Sequence, residues 1–375
     1  MRKNICELCS SISDTYKGNA EKVVLINTSD VYDGKCTNHT LVENKQLRGQ
    51  FKKTFKPNDI LYSEIRPANR RFAYIDFDTN NYIASTKLMV LRAKEGVNPK
   101  YLYQILRGNS TINALQLLAE SRSGTFPQIT FSELSNIEVN IPSEDVQNMV
   151  VSILSSLDAK IETNNKLNEK LEEMTQAIFK SWLSDCDETI SIGELSQNIT
   201  DYSKVNKENV ILINSSDVTN GFFDHHNYSE NKNIKGHFKK RFYKGDILYS
   251  QVRPRNRHWA YCYFDADDYI ASTQLMVIRN NEEELSSLLL YQYLISDRVW
   301  NEFTLKTETR SGTFPQGNYE DLSKICVPYK KDNKSICKTL ETIYNGIYKR
   351  YEENQRLASL RDTLLPRLMS GEIKI

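Results

Sequence analysis

The chain repeats itself. Shifted by 187 positions, residues Ile5 to Arg92 lie on Ile192 to Arg279 without a gap. Between Phe51–Arg92 and Phe238–Arg279 there are 26 identities in 42 positions. Further on, RSGTFPQ at Arg122–Gln128 returns at Arg310–Gln316 with a shift of 188, and Pro142 meets Pro328 at 186. Self-similarity on this scale is a whole domain made twice, not a solenoid of units of roughly 20–50 residues. Any fold for this chain must therefore hold two copies of one architecture.

Each copy runs into a helix. At the shift of 186, Val150, Leu154, Leu157 and Ile161 meet Ile336, Leu340, Ile343 and Ile347. Leu171, Met174 and Ile178 then meet Leu357, Leu360 and Leu364. Steps of three and four make one apolar stripe per helix, with Glu, Lys, Asn and Gln elsewhere. So narrow a stripe suits the seam of a two-helix coiled coil. Asn168 and Asn354 coincide along it. They are either solvated rim positions or a polar pair that fixes register at some cost in stability. A helix of roughly 40 residues is about 60 Å long. Paired antiparallel, two such helices would carry one globule at each end of a rod and give the chain an approximate two-fold axis.

The globules read as strand-rich. DILYSEI, RFAYIDF and YIASTKLMVL are dense in Ile, Tyr, Phe and Val and are bounded by turn residues. The expected fold is α+β: two tandem, mixed, strand-rich domains at 1–143 and 185–331. A central helical region at 144–184 separates them, and a second at 332–375 follows, the helices pairing as an antiparallel coiled coil.

A chain folded as a two-fold object suggests a two-fold target, and duplex DNA offers one. With a formal net charge of +1, any nucleic-acid surface must be a local patch rather than a global field. Such patches sit beside the strands. The first half has Lys52, Lys53, Arg66, Asn69, Arg70 and Arg71, with Arg122 further on. The second has Lys239, Lys240, Arg241, Arg253, Arg255, Asn256 and Arg257, with Arg310. Lysines of the FKK stretch suit phosphates, which give affinity without sequence information. Arginine can read guanine and asparagine can read adenine in the major groove, so RPANRR and RPRNRH are candidates for base contact. They are equally candidates for turn and ion-pair residues shared for structural reasons.

Enzymatic signals are missing. The sequence has no GxxxxGK[ST] phosphate loop, no GxGxxG fingerprint, and no Asn-Pro-Pro-aromatic or Asp-Pro-Pro-aromatic stretch. Of five histidines only His39/His226 recurs, without metal-ligand spacing. Cys6-x-x-Cys9 faces Gly193 and Ser196 in the other half, so it reads as a pair of ordinary small residues. Glu372-Ile373-Lys374 is a faint echo of a nuclease Glu-x-Lys in a short tail. Seven cysteines without framework spacing suit a reduced, cytoplasmic protein, and no apolar run is long enough to span a membrane.

The chain resembles the specificity subunit of type I restriction–modification systems. The resemblance rests on RSGTFPQITFSELSNIEVNIPS and RSGTFPQGNYEDLSKICVPY, and on NDILYSEIRP and GDILYSQVRP. IETNNKLNEKLEEMTQAIFKSWL and NQRLASLRDTLLPRLMSGEIKI complete it. It covers essentially the whole chain and implies two target-recognition domains alternating with two helical regions. It also implies partners: double-stranded DNA, two methylation subunits and motor-nuclease subunits. S-adenosylmethionine would sit on the methylation subunits, ATP and Mg on the motor-nuclease subunit, and no cofactor or metal on this non-catalytic chain. Each domain would read half of a gapped site. Because the halves are so alike, the half-sites should be similar and inverted. SGTFPQ, shared by both domains, should shape a loop rather than read sequence, with Arg122 and Arg310 free to reach a phosphate. Two other readings fit the same residues: a specificity subunit serving a fused nuclease–methyltransferase, and an interaction protein that occupies methylation subunits without reading DNA.

Overall fold

The computed structural model describes residues 2–45, 49–122, 127–232, 234–281, 285–309 and 316–373. The chain divides into two compact units, Met1–Thr163 with Glu353–Ile375, and Asn164–Glu352.

Each unit is built around the same two four-stranded sheets. In the first unit, one sheet runs Leu41–Glu43, Lys22–Ile26, Tyr82–Ser85, Phe51–Lys53, and its central pair is parallel. The other runs Cys9–Ile12, Leu88–Ala93, Ile60–Ser63, Phe72–Tyr74 and is antiparallel throughout. The second unit repeats both, from Tyr228–Glu230 to Phe238–Lys240 and from Ser196–Asn198 to Trp259–Tyr261. A two-residue hairpin recurs as well. Asp33-Gly34 and Asn220-Gly221 have φ of 40°/99° and 48°/100°, the left-handed pair that such turns need and that Asp-Gly and Asn-Gly supply. An apolar cluster fills the space between the sheets, with Ile26, Leu61, Ala84 and Val90 in the first unit.

Among the helices packed with these sheets are α1 (Asn109–Arg122), α2 (Glu144–Ser184), α3 (Asp297–Glu308) and α4 (Lys334–Ser370). In the first unit, Val150 and Leu154 of α2 share an apolar cluster with Leu365 and Leu368 of α4. Lys160 pairs with Glu353 at 3.6 Å. In the second unit, Phe179 of α2 clusters with Ile336, Leu340, Ile343 and Ile347 of α4. The start of each helix thus meets the end of the other, and the pairing is antiparallel. Leu157, Ile161, Leu171 and Leu357 are half-buried.

The stripe differs from the sequence reading in one respect. Met174 and Leu360 are 52% and 46% exposed, whereas Thr175 and Arg361, the next residue in each case, are buried. The seam runs through Asn164, Asn168, Leu171, Thr175 and Ile178. A step of four followed by three fits the 3.6-residue period as well as three followed by four, and apolarity alone chose the wrong neighbour. Asn168 is buried and donates from Nδ2 to the Ile347 carbonyl at 3.2 Å; Asn354 is half-buried. Helix α4 runs through Pro366 without ending there. Burial of Leu365 and Leu368 offsets the roughly 3 kcal/mol that an interior proline costs.

Candidate nucleic-acid interface

The two arginine stretches form the same turn. Arg66 and Arg70 bracket a 3-10 turn at Pro67–Asn69, and Arg253 and Arg257 bracket one at Pro254–Asn256. All four arginines are left-handed, with φ of 44°, 53°, 47° and 53°. Such a conformation costs a non-glycine residue of order 1–3 kcal/mol and persists only where the surroundings impose it.

Three contacts impose it. First, the end of the duplicated hexapeptide is zipped to the strand entering the turn. Gln128 bridges Ile65, the Arg66 N–H donates to the Pro127 carbonyl at 3.1 Å, and the Ile129 N–H donates to Glu64 at 2.8 Å. In the second unit Gln316 bridges Val252, and the Gly317 N–H donates to Gln251 at 2.9 Å. Second, the Ser63 and Ser250 hydroxyls accept from the Ile65 and Val252 N–H groups. Third, a helix braces the turn. Gln116 of α1 accepts from the Ala68 N–H at 3.0 Å, and Trp300 of α3 donates from Nε1 to the Pro254 carbonyl at 2.8 Å. Ser123–Phe126 and Ser311–Pro315, the rest of the hexapeptides, and Arg310 lie outside the described residues.

The turn sorts its basic residues. Arg66, Asn69, Arg253 and Asn256 are exposed. Arg70 and Arg257 fold back. Arg70 pairs with Asp33 at 2.9 Å. Arg257 stacks 4.1 Å from the Trp300 ring and donates to Asp297 at 3.3 Å. Arg71 donates to the Ser29 carbonyl at 3.1 Å, and its counterpart His258 lies 2.9 Å from the Val218 carbonyl. Arg255 stays exposed but is held on both oxygens of Glu308, where the first unit has Ala68. Arg122 is exposed and paired with Glu133.

The FKK strands sort their lysines by face, as a period of two requires. Lys52 and Lys239 are exposed. Lys53 and Lys240 turn inward and donate to the Leu88 and Leu275 carbonyls at 2.8 and 2.6 Å. Burial pushes both ammonium groups down from their ordinary range. Arg241 is buried as well, donating to the Asp267 carbonyl at 2.9 Å. The recurring histidines are tied to tyrosines: His39 to Tyr82 at 2.9 Å and His226 to Tyr269 at 2.6 Å. Among the described residues no cluster of His, Cys, Asp or Glu is placed to hold a metal ion. None of the helices there is long and apolar enough to cross a membrane. Each unit therefore presents an exposed Arg, Asn and Lys on an imposed turn and strand. The bracing residues Gln116, Trp300 and Gln128 carried no local signal in the sequence, because their partners are distant along the chain.

The model of the type I restriction modification DNA specificity domain matches residues 3–173 and again 188–358. Over 183 residues the chain is 44% identical to the specificity subunit of the type I restriction enzyme HindI of Haemophilus influenzae. That match covers 48% of this chain and 40% of the relative, so it spans well under half of that protein. The MjaIX specificity subunit of Methanocaldococcus jannaschii is 23% identical over 314 residues, 75% of this chain and 71% of that one. In fold, the crystal structure of a type I restriction–modification S subunit from M. genitalium aligns over 98% of this chain and 95% of that one. Its TM-score is 0.52, at 16% identity.

Proposed function

The chain belongs to the family of type I restriction–modification DNA specificity domains, of which it carries two copies, and on that premise we propose that it reads DNA sequence for a methylating and cleaving complex while catalysing neither step. One observation carries this reading beyond the family: a strained arginine turn is built twice, with its Arg and Asn exposed both times. Backbone strain of this kind is held in place by its surroundings and clusters at sites that meet ligands.

Each domain reads one half of a gapped site. Arg66 with Asn69, and Arg253 with Asn256, address base edges. Lys52, Lys239 and Arg122 address phosphates, and Arg310 takes the place of Arg122 in the second half by sequence. The long helices space the domains and dock two methylation subunits, which bind S-adenosylmethionine. Motor-nuclease subunits supply ATP- and Mg-dependent cleavage in the cytoplasm. The similarity of the halves and the antiparallel helices favour half-sites that are alike and inverted.

The test is selection of random duplexes by the chain assembled with its methylation subunit, with affinity measured over a salt series. Enrichment of a bipartite motif, together with a steep fall of affinity with salt, is expected. No enrichment and a flat salt dependence from an assembled complex would overturn the reading. That result would favour an interaction protein that occupies methylation subunits.

A further inference from the structure

Each unit packs its strands against the helix pair, and the two packings differ in chemistry where the elements repeat. In the first unit the carboxylates there have cations of their own. Asp158 accepts from Arg107 and Arg361, Lys35 lies 4.0 Å from Glu162, and Arg70 pairs with Asp33.

At the equivalent positions of the second unit three of these four cations are gone, while Arg257 stands for Arg70 and Asn220 for Asp33. Phe222 stands for Lys35, Ile295 for Arg107 and Thr175 for Arg361. Tyr344 and Tyr348 replace Asp158 and Glu162. One carboxylate is added: Glu172 stands where the first unit's helix has Ala358. A cavity of about 300 Å³ opens at this place, lined by Glu172, Phe222, Tyr291, Gln292, Tyr344 and Tyr348 among others. The three tyrosines are more than nine-tenths buried.

Among the described residues Glu172 has neither an ion pair nor a hydrogen bond. Burial, and then Glu169, push its carboxyl above the ordinary range. Burial and then Glu172 do the same to the Tyr344 hydroxyl. Arg257 also lines the cavity, but it is engaged with Trp300 and Asp297. Glu172 is half-buried, and a carboxylate partly withdrawn from water without a partner costs stability. Aromatic rings around it offer a surface to a positive charge and none to an anion. A purely apolar occupant would leave the carboxylate uncompensated.

We propose that this cavity binds a small alkylammonium ion, its nitrogen between Glu172 and Tyr344 and its chain against Phe222 and Tyr291. The second unit would thereby import the cation that the first unit carries as side chains. The ligand is a free aliphatic amine or the lysine side chain of a partner, and the two share this chemistry.

The full-length chain should be titrated calorimetrically with 1,4-diaminobutane and with Nα-acetyl-lysine methylamide, before and after Glu172→Gln. Saturable binding that weakens at least tenfold in Glu172→Gln is expected. Tighter binding of the diamine assigns the site to a free polyamine, and tighter binding of the lysine analogue assigns it to a partner's lysine. Tyr344→Leu is the second variant and should also weaken binding. Absence of saturable binding by either amine, or equal affinity in the parent and Glu172→Gln, overturns the proposal.

Discussion

Asp158 of α2 accepts a hydrogen bond from Arg361 of α4 at 2.8 Å, and it takes a second from Arg107 at 2.9 Å. The carboxylate thereby ties the two long helices, which come from different repeats, to the strand domain of the first unit. Arg107 and Arg361 are both more than nine-tenths buried. Removing the charge between them leaves the buried Arg107 guanidinium without its counterion and Arg361 with Asp362 alone, at 3.0 Å. Asp158→Asn should therefore cost about 3–5 kcal/mol, read as a fall in the urea midpoint. An unchanged midpoint would mean that the arginines find other partners.

The FKK lysines should separate by face. Lys52→Ala and Lys239→Ala are expected to weaken DNA binding to all sequences alike. Each should lower the slope of log affinity against log salt by about 0.9. Lys53→Ala and Lys240→Ala should leave the slope in place and lower thermal stability instead, because each of those ammonium groups holds a backbone carbonyl.

Exchanging Ala68 and Arg255 should alter the preference of the two half-sites reciprocally. The position lies on the presented turn in both units, but Arg255 is held by Glu308 where the first unit has Glu120 in the equivalent place. Motif selection by the exchanged variant measures it. Unchanged preference in both halves would remove this position from the reading surface.

Much of this arrangement was legible in the sequence, and the misses have physical reasons. The repeat and the two long helices are regular patterns, and regular patterns survive translation into structure. Strand alternation was also there to be read, since FKK must place its two lysines on opposite faces. Composition grouped them as one basic patch. Thr175 and Arg361 escaped because a polar residue on a helix seam gives no periodic signal. The zipping of Gln128 onto Ile65 was not legible at all, because nothing in SGTFPQ names a partner some 60 residues away.

Acid should destabilise the second unit through His226. Burial, and then His225, hold its imidazole below the ordinary value of 6.5. Between the folded and unfolded values the unfolded chain binds more protons, so stability rises with pH. Stability should be complete above about pH 6.5–7, the ordinary histidine range, and should fall as the pH drops below it. His226→Gln should flatten that part of the curve, measured as the urea midpoint at several pH values. An equal slope in parent and variant would assign the acid sensitivity to other groups.

The central claim is that each domain reads one half of a gapped site. Expressing the chain with its methylation subunit in a methylation-free host, and mapping modified adenines by single-molecule sequencing, tests it most directly. A gapped motif with two similar, inverted halves is the predicted result. A contiguous motif, or no motif from a complex that demonstrably assembles, would contradict it.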